Sequence, residues 1–238
     1  MKSVFHLAVF ISTLTLCSSA LAGVQIGATR IIYPEKNDEA QLSVKSQNTT
    51  ISHLVQAWVS NIDDQGEPPF IASPPIIKLG ANQETIFHFI YAKKGAELPK
   101  DRESVFWANI KFIASTPEEL QNKSKLQLAS RTRIKLIYRP STLTEDGASN
   151  AYKKITFARK GAGLNISNPT PYYVTLSTVS VNNVKLAAPR NTLAALSMMV
   201  APFGVITLPA NLTVNSSIKW NAINDYGSVT ESQQTLLP

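Results

Sequence analysis

"ASRTRIKLIYRP", residues 129–140, sets four cations, Arg131, Arg133, Lys135 and Arg139, into a run of strand formers that includes Ile134, Leu136, Ile137 and Tyr138. Side chains alternate between the two faces of a strand, so four odd-numbered cations share one face if the strand is regular. Such a row asks for a negative partner, unless it is the charge that commonly protects a sheet edge from pairing with other chains. Stretches of similar make-up lie upstream, at 24–33, 40–46, 51–59, 84–91 and 104–113, and the basic stretch itself sits in a strand expected over 125–139. Pro68-Pro69, Pro74-Pro75, Gly80, Pro99 and Pro117 punctuate them. Short alternating runs rich in Val, Ile, Thr and Tyr, with scarce helical periodicity, predict a β-sandwich.

After Pro140 the pattern resets. "STLTEDGASN" (141–150) is polar and small and reads as a linker or loop. A second set of short strands is expected at 153–159, 163–167, 172–181, 203–208 and 217–223. Length and break together fit two domains, 23–142 and 143–238. Residues 1–22 are set apart: Lys2 is followed by the mostly apolar run Val4 to Leu16 and by Ala20-Leu21-Ala22, the pattern of a secretory signal peptide cleaved after Ala22. No later stretch reaches the ~18 uninterrupted apolar residues of a membrane helix, so no membrane insertion is expected.

The formal net charge of +7 admits nucleic acid, anionic lipid or an acidic protein partner. Export argues against nucleic acid, and no basic amphipathic helix favours lipid. Cys17, the only cysteine, lies inside the signal peptide, so neither thiol catalysis nor a cysteine-based metal site is expected in the mature chain. His53 and His88 stand in no metal-ligand spacing, and there is no G-x-S-x-G, P-loop or G-x-G-x-x-G. Asp63-Asp64 with Gly66 suggests a calcium loop only in outline, because the remaining oxygen ligands are missing. No cofactor, metal or enzymatic activity is expected, which leaves binding.

The pieces "TRIIYP" (29–34), "LVQAWV" (54–59), "LPKDRESVFWANI" (98–110), "TRIKLIYRP" (132–140), "NPTPYYVTLS" (168–177) and "INDYG" (223–227) occur in that order over most of the chain. In these pieces the sequence resembles the PapD-like periplasmic chaperones of pilus (fimbrial) assembly. The resemblance implies an all-β protein of two immunoglobulin-like β-sandwich domains in a boomerang arrangement, located in the periplasm. It implies pilin subunits and an outer-membrane usher as partners. The chaperone lends an edge strand to a subunit lacking its last strand, donor-strand complementation, and anchors the subunit's C-terminal carboxylate in the cleft between its domains. Self-association of the free chain over that strand is left open.

Carried over by motif, the carboxylate anchor is Arg30 with Lys135, and the donated positions are Leu126, Leu128 and Ser130. Ser130 departs from the family, which usually has a larger apolar residue there, so binding at the third pocket is expected to be shallower or shifted along the strand. Glu103, Arg139 and Asp225 match an interdomain salt-bridge network. A further family Arg aligns to His88, which implies a network weakened there or dependent on protonation of His88. The segment 115–125 matches the short-segment branch of the family. Leu126 and Leu128 are even-numbered and Lys135 is odd, so either a bulge intervenes or the cleft lies opposite the donated face. For Arg131 and Arg133 the protective-charge explanation is preferred. Two other classes remain open: a fimbrial subunit, which would carry a disulfide and an N-terminal alternating extension, and a carbohydrate-binding sandwich, which would need an exposed aromatic platform.

Overall fold

A computed structural model describes residues 23–48, 50–93, 97–116, 121, 123–161, 163–187 and 198–237. The proposed signal peptide and residues 117–120 and 122 of the segment before the basic strand therefore lie outside the described residues. The first half of the chain forms β1 (Val24–Ile26), β2 (Arg30–Pro34), β3 (Ala40–Ser46), β4 (His53–Ser60), β5 (Phe70–Ser73), β6 (Ile76–Leu79), β7 (Glu84–Tyr91), β8 (Ser104–Ala114) and β9 (Ala129–Arg139). These build two facing sheets, β1-β3-β7-β5 and β2-β9-β8-β4-β6. Alternate residues of each strand turn inward, including Leu42, Val44, Val55, Phe87, Phe89, Leu136 and Tyr138, and close one apolar core.

The stretch 24–33, expected as a single strand, is two. It breaks at residues 27–29, so that β1 pairs with β3 in one sheet while β2 runs parallel to β9 in the other. Register in the β8–β9 ladder runs without a shift from Ser104↔Tyr138 to Ile113↔Ala129. No bulge intervenes in β9, so Ile134, Leu136 and Tyr138 face the core while Arg133, Lys135 and Arg139 face the other way. The strand also starts later than expected, at Ala129 rather than at residue 125.

The second half has its own core around Leu164, Ile166, Val179, Leu208, Ile218 and Trp220. "STLTEDGASN" is not all loop: Thr144 accepts a hydrogen bond from the Gly147 N–H and caps a short helix, α1 (Glu145–Ala151), whose first turn carries Glu145 and Asp146. The strands that follow are β10 (Thr156–Lys160), β11 (Gly163–Ser167), β12 (Val174–Val181), β13 (Val184–Lys185), β14 (Met199–Val200), β15 (Val205–Pro209), β16 (Ser217–Ala222) and β17 (Gln233–Leu236). They form the sheets β10-β11-β15 and β13-β12-β16-β17, with β14 on β12.

Candidate functional site

The two halves meet along the cation face of β9. Arg139 is buried there, its Nε donating to Glu103 Oε1 at 2.7 Å and its Nη1 to Asp225 Oδ2 at 2.8 Å. The other oxygen of Glu103 accepts the Tyr173 N–H at 2.7 Å, and the Glu103 N–H donates to the Pro171 carbonyl. Glu103 and Arg139 come from the first sandwich, Asp225 and Tyr173 from the second. Buried Asn168 shapes the "NPTPYY" turn behind them, donating to the Tyr172 carbonyl at 2.7 Å and accepting from Thr170. Gly227 has φ of +84°, and a Cβ there would collide with the Thr29 hydroxyl, so glycine alone lets the "INDYG" turn approach the first sandwich.

Just above the junction lies an open cleft of about 410 Å³, lined by Arg30, Trp107, Lys135, Thr175, Met198 and Ile223 among others. Arg30 and Lys135 are register partners in the parallel β2–β9 ladder, so their side chains leave the sheet side by side on one face. Lys135 is 6% exposed and donates to Thr175 Oγ1 at 3.0 Å. Arg30 donates through Nη1 to the Ile223 carbonyl at 3.0 Å, while its buried Nε has no hydrogen-bond partner. Burial pushes the Lys135 ammonium down to about 8, and the neighbouring Arg30 charge adds to the effect. Burial also lowers Arg30, partly offset by Asp225. Among the described residues no carboxylate lies within ion-pair distance of either cation. Two like charges lining one opening, Lys135 buried and Arg30 partly buried, suit an incoming anion, and a guanidinium beside an ammonium suits a carboxylate.

On its outer side β9 is paired with β2 only from Lys135 to Arg139. Its N-terminal part, Ala129 to Ile134, therefore presents a free strand edge on that side among the described residues. Upstream, Leu126 and Leu128 are 84% and 71% exposed, in an extension outside any strand. Ser130 lies inside β9, opposite Phe112, and is exposed. Leu126, Leu128 and Ser130 share the parity of core residues Ile134 and Leu136, and Lys135 has the opposite parity.

His88 lies away from the junction. It projects from the outer face of β7, opposite Phe87 and Phe89, with Nδ1 2.8 Å from Glu39 Oε1. The expectation that the interdomain network depends on His88 is therefore corrected: its hydrogen-bond partner is Glu39, on its own sandwich. Asp64 binds Arg133 with both oxygens at 2.7 Å, which gives it an occupation other than calcium and makes Arg133 more than a loose protective charge. Reading the sequence alone also passed over Thr175 as a partner of Lys135, although Thr175 lies in the quoted "NPTPYYVTLS". A lone threonine in a strand carries no signal of its own.

Comparison with known proteins identifies the family of the chain and its fold. Residues 23–144 match "Pili and flagellar-assembly chaperone, PapD N-terminal domain", and residues 150–234 match "Pili assembly chaperone PapD, C-terminal domain". The chain is 39% identical over 222 residues to the probable fimbrial chaperone LpfB of Escherichia coli O157:H7, covering 92% of this chain and 91% of that one. Its fold superimposes on the periplasmic chaperone SfaE with a TM-score of 0.71, at 33% identity over 88% of this chain and 97% of that one. It matches a chain of the Salmonella enterica SafA pilin–SafB chaperone complex with a TM-score of 0.73, at 30% identity over 92% and 99%. This chain belongs to the PapD family of pili assembly chaperones.

Proposed function

We propose that the protein is a periplasmic chaperone that binds pilin subunits by donor-strand complementation and delivers them to an outer-membrane usher for fimbrium assembly. The observation that carries this is the facing pair Arg30 and Lys135, with no carboxylate in ion-pair distance among the described residues, placed where the free edge of β9 begins. The pair grips the subunit's terminal carboxylate. The free edge supplies main-chain hydrogen bonds to the subunit's last strand, and Leu126 and Leu128 enter its open groove. Ser130 reaches the third position with little apolar surface to contribute. Glu103, Arg139 and Asp225 hold the two sandwiches, 23–142 and 143–238, at the angle that keeps the cleft open. Residues 1–22 act as a signal peptide removed after Ala22, which places the mature chain in the periplasm. The SafA–SafB complex, of a pilin with its chaperone, is the kind of assembly expected here.

The test is capture of a pilin subunit co-expressed from the same fimbrial gene cluster. Arg30→Ala and Lys135→Ala are expected to fold as the wild type does and to lose the subunit. Co-purification at the wild-type level by either variant rules the anchor out.

A further inference from the structure

Anchoring by Arg30 and Lys135 leaves a problem of register. Arg133 lies two residues before Lys135 on the same face of β9, about 7 Å along the strand. It also lines the same cleft. A carboxylate that chose Arg133 in place of Lys135 would shift the bound strand by two residues. Leu126 and Leu128 would keep their side of the strand but would each meet the wrong pocket.

The structure contains a device against that slip. Both terminal oxygens of Asp64 accept from Arg133 Nη2 at 2.7 Å, and Arg133 Nε donates to Asn109 Oδ1 at 3.0 Å. Asn109, wholly buried, is the register partner of Arg133 on β8 and donates to Ser60 Oγ at 3.1 Å. Ser60, at the end of β4, donates in turn to Asp64 Oδ1 at 2.9 Å. The ring thus runs through three adjacent strands and the loop after β4. That loop is shaped to present the carboxylate. Asp64 sits at φ of +58°, a conformation that an aspartate or asparagine tolerates better than most residues, and Asn61 Nδ2 donates to the Gln65 carbonyl at 2.5 Å.

As a source of stability the pair is modest, because the Asp64 side chain is 48% exposed. Its effect on charge is larger. With Arg133 occupied, Arg30 and Lys135 are the cleft cations left without a carboxylate among the described residues. Arg131, next along the same face, is exposed and does not line the cleft. We infer that Asp64 is a specificity-determining residue: by occupying Arg133 it leaves a single anchoring point for the partner's carboxylate and so fixes the register of the strand bound along β9. The inference rests on the carboxylate anchor of the proposed function.

The experiment uses the co-expressed pilin subunit with four forms of the mature chain: wild type, Lys135→Ala, Asp64→Asn and the double variant Asp64→Asn/Lys135→Ala. Asparagine keeps the left-handed backbone of residue 64 and removes the charge. Freeing Arg133 is expected to restore part of the capture that Lys135→Ala loses, by roughly tenfold, the worth of one charge-assisted hydrogen bond. Adding Arg133→Gln should abolish the rescue. A merely structural Asp64 would give no rescue, since loss of a stabilising pair cannot improve binding. Capture by the double variant no better than by Lys135→Ala overturns the inference while leaving the anchor standing. Capture by Lys135→Ala equal to wild type overturns the anchor and the inference together.

Discussion

Replacing Lys135 by methionine should make the free protein more stable and useless as a subunit binder. The ammonium is 6% exposed and its pKa stands at about 8 instead of the ordinary 10.5. Keeping it charged in the folded state therefore costs about 3 kcal/mol at neutral pH. Methionine fills a similar volume without charge. It strands the Thr175 hydroxyl that now accepts from Nζ at 3.0 Å, a loss of about 1 kcal/mol. The variant should thus gain about 2 kcal/mol. The sign of the pH dependence follows from the depressed pKa. Between about pH 8 and about pH 10.5 the folded chain holds fewer protons at this site than the unfolded chain, so wild-type stability rises relative to the variant across that window. Below it the penalty is present in full; above it the penalty is gone. Urea unfolding of both proteins, followed by tryptophan fluorescence at about pH 7 and about pH 10.5, reads the difference. A variant less stable than wild type at about pH 7, or a difference that does not shrink as pH rises, would refute the account of Lys135 as a charge held ready at a cost.

Two further perturbations separate the junction from the lent strand. Arg139→Met leaves the Glu103 carboxylate buried without its cation and should cost about 3–5 kcal/mol, with small-angle scattering showing a wider spread of interdomain angles; Glu103→Gln in the same chain should recover most of the loss. An unchanged urea midpoint for Arg139→Met would contradict the junction role. Leu126→Asp or Leu128→Asp should leave the stability of the free chain within about 0.5 kcal/mol, because both side chains are largely exposed. Each should weaken subunit capture roughly 10- to 100-fold, the worth of one leucine kept out of an apolar groove, and undiminished capture would remove that residue from the donor strand.

Much of this architecture was legible in the sequence, for physical reasons. Alternation of apolar and polar residues encodes which face of a strand is buried, so the sandwich class and most strand positions followed from composition and turn signals. What the sequence hid was pairing. Across the break at residues 27–29 the inward positions change parity, from Val24 and Ile26 to Ile31 and Tyr33, a change that the adjacent apolar Ile32 masks, and β1 and β2 go to different sheets. Residues 125–128 have strand chemistry but no pairing strand among the described residues, so β9 starts at Ala129. The helix Glu145–Ala151 lies within a polar, glycine-containing stretch whose only helix signals are the Thr144 cap and the two acids that follow. At the site, resemblance supplied Arg30 and Lys135 as a pair, but no local feature of the sequence shows their adjacency, which depends on a parallel ladder between residues more than a hundred positions apart. The occupation of Arg133 by Asp64 depends in the same way on a loop whose backbone conformation does not show in its composition.

The central claim is that Arg30 and Lys135 hold the last carboxylate of a subunit while β9 lends its free edge. The most direct measurement compares affinity for a native subunit with affinity for the same subunit carrying an amidated C-terminus. Losing the charge and its two cationic donors should cost about 3 kcal/mol, so the account predicts binding weakened roughly 100-fold. Equal affinity for the two forms would contradict it.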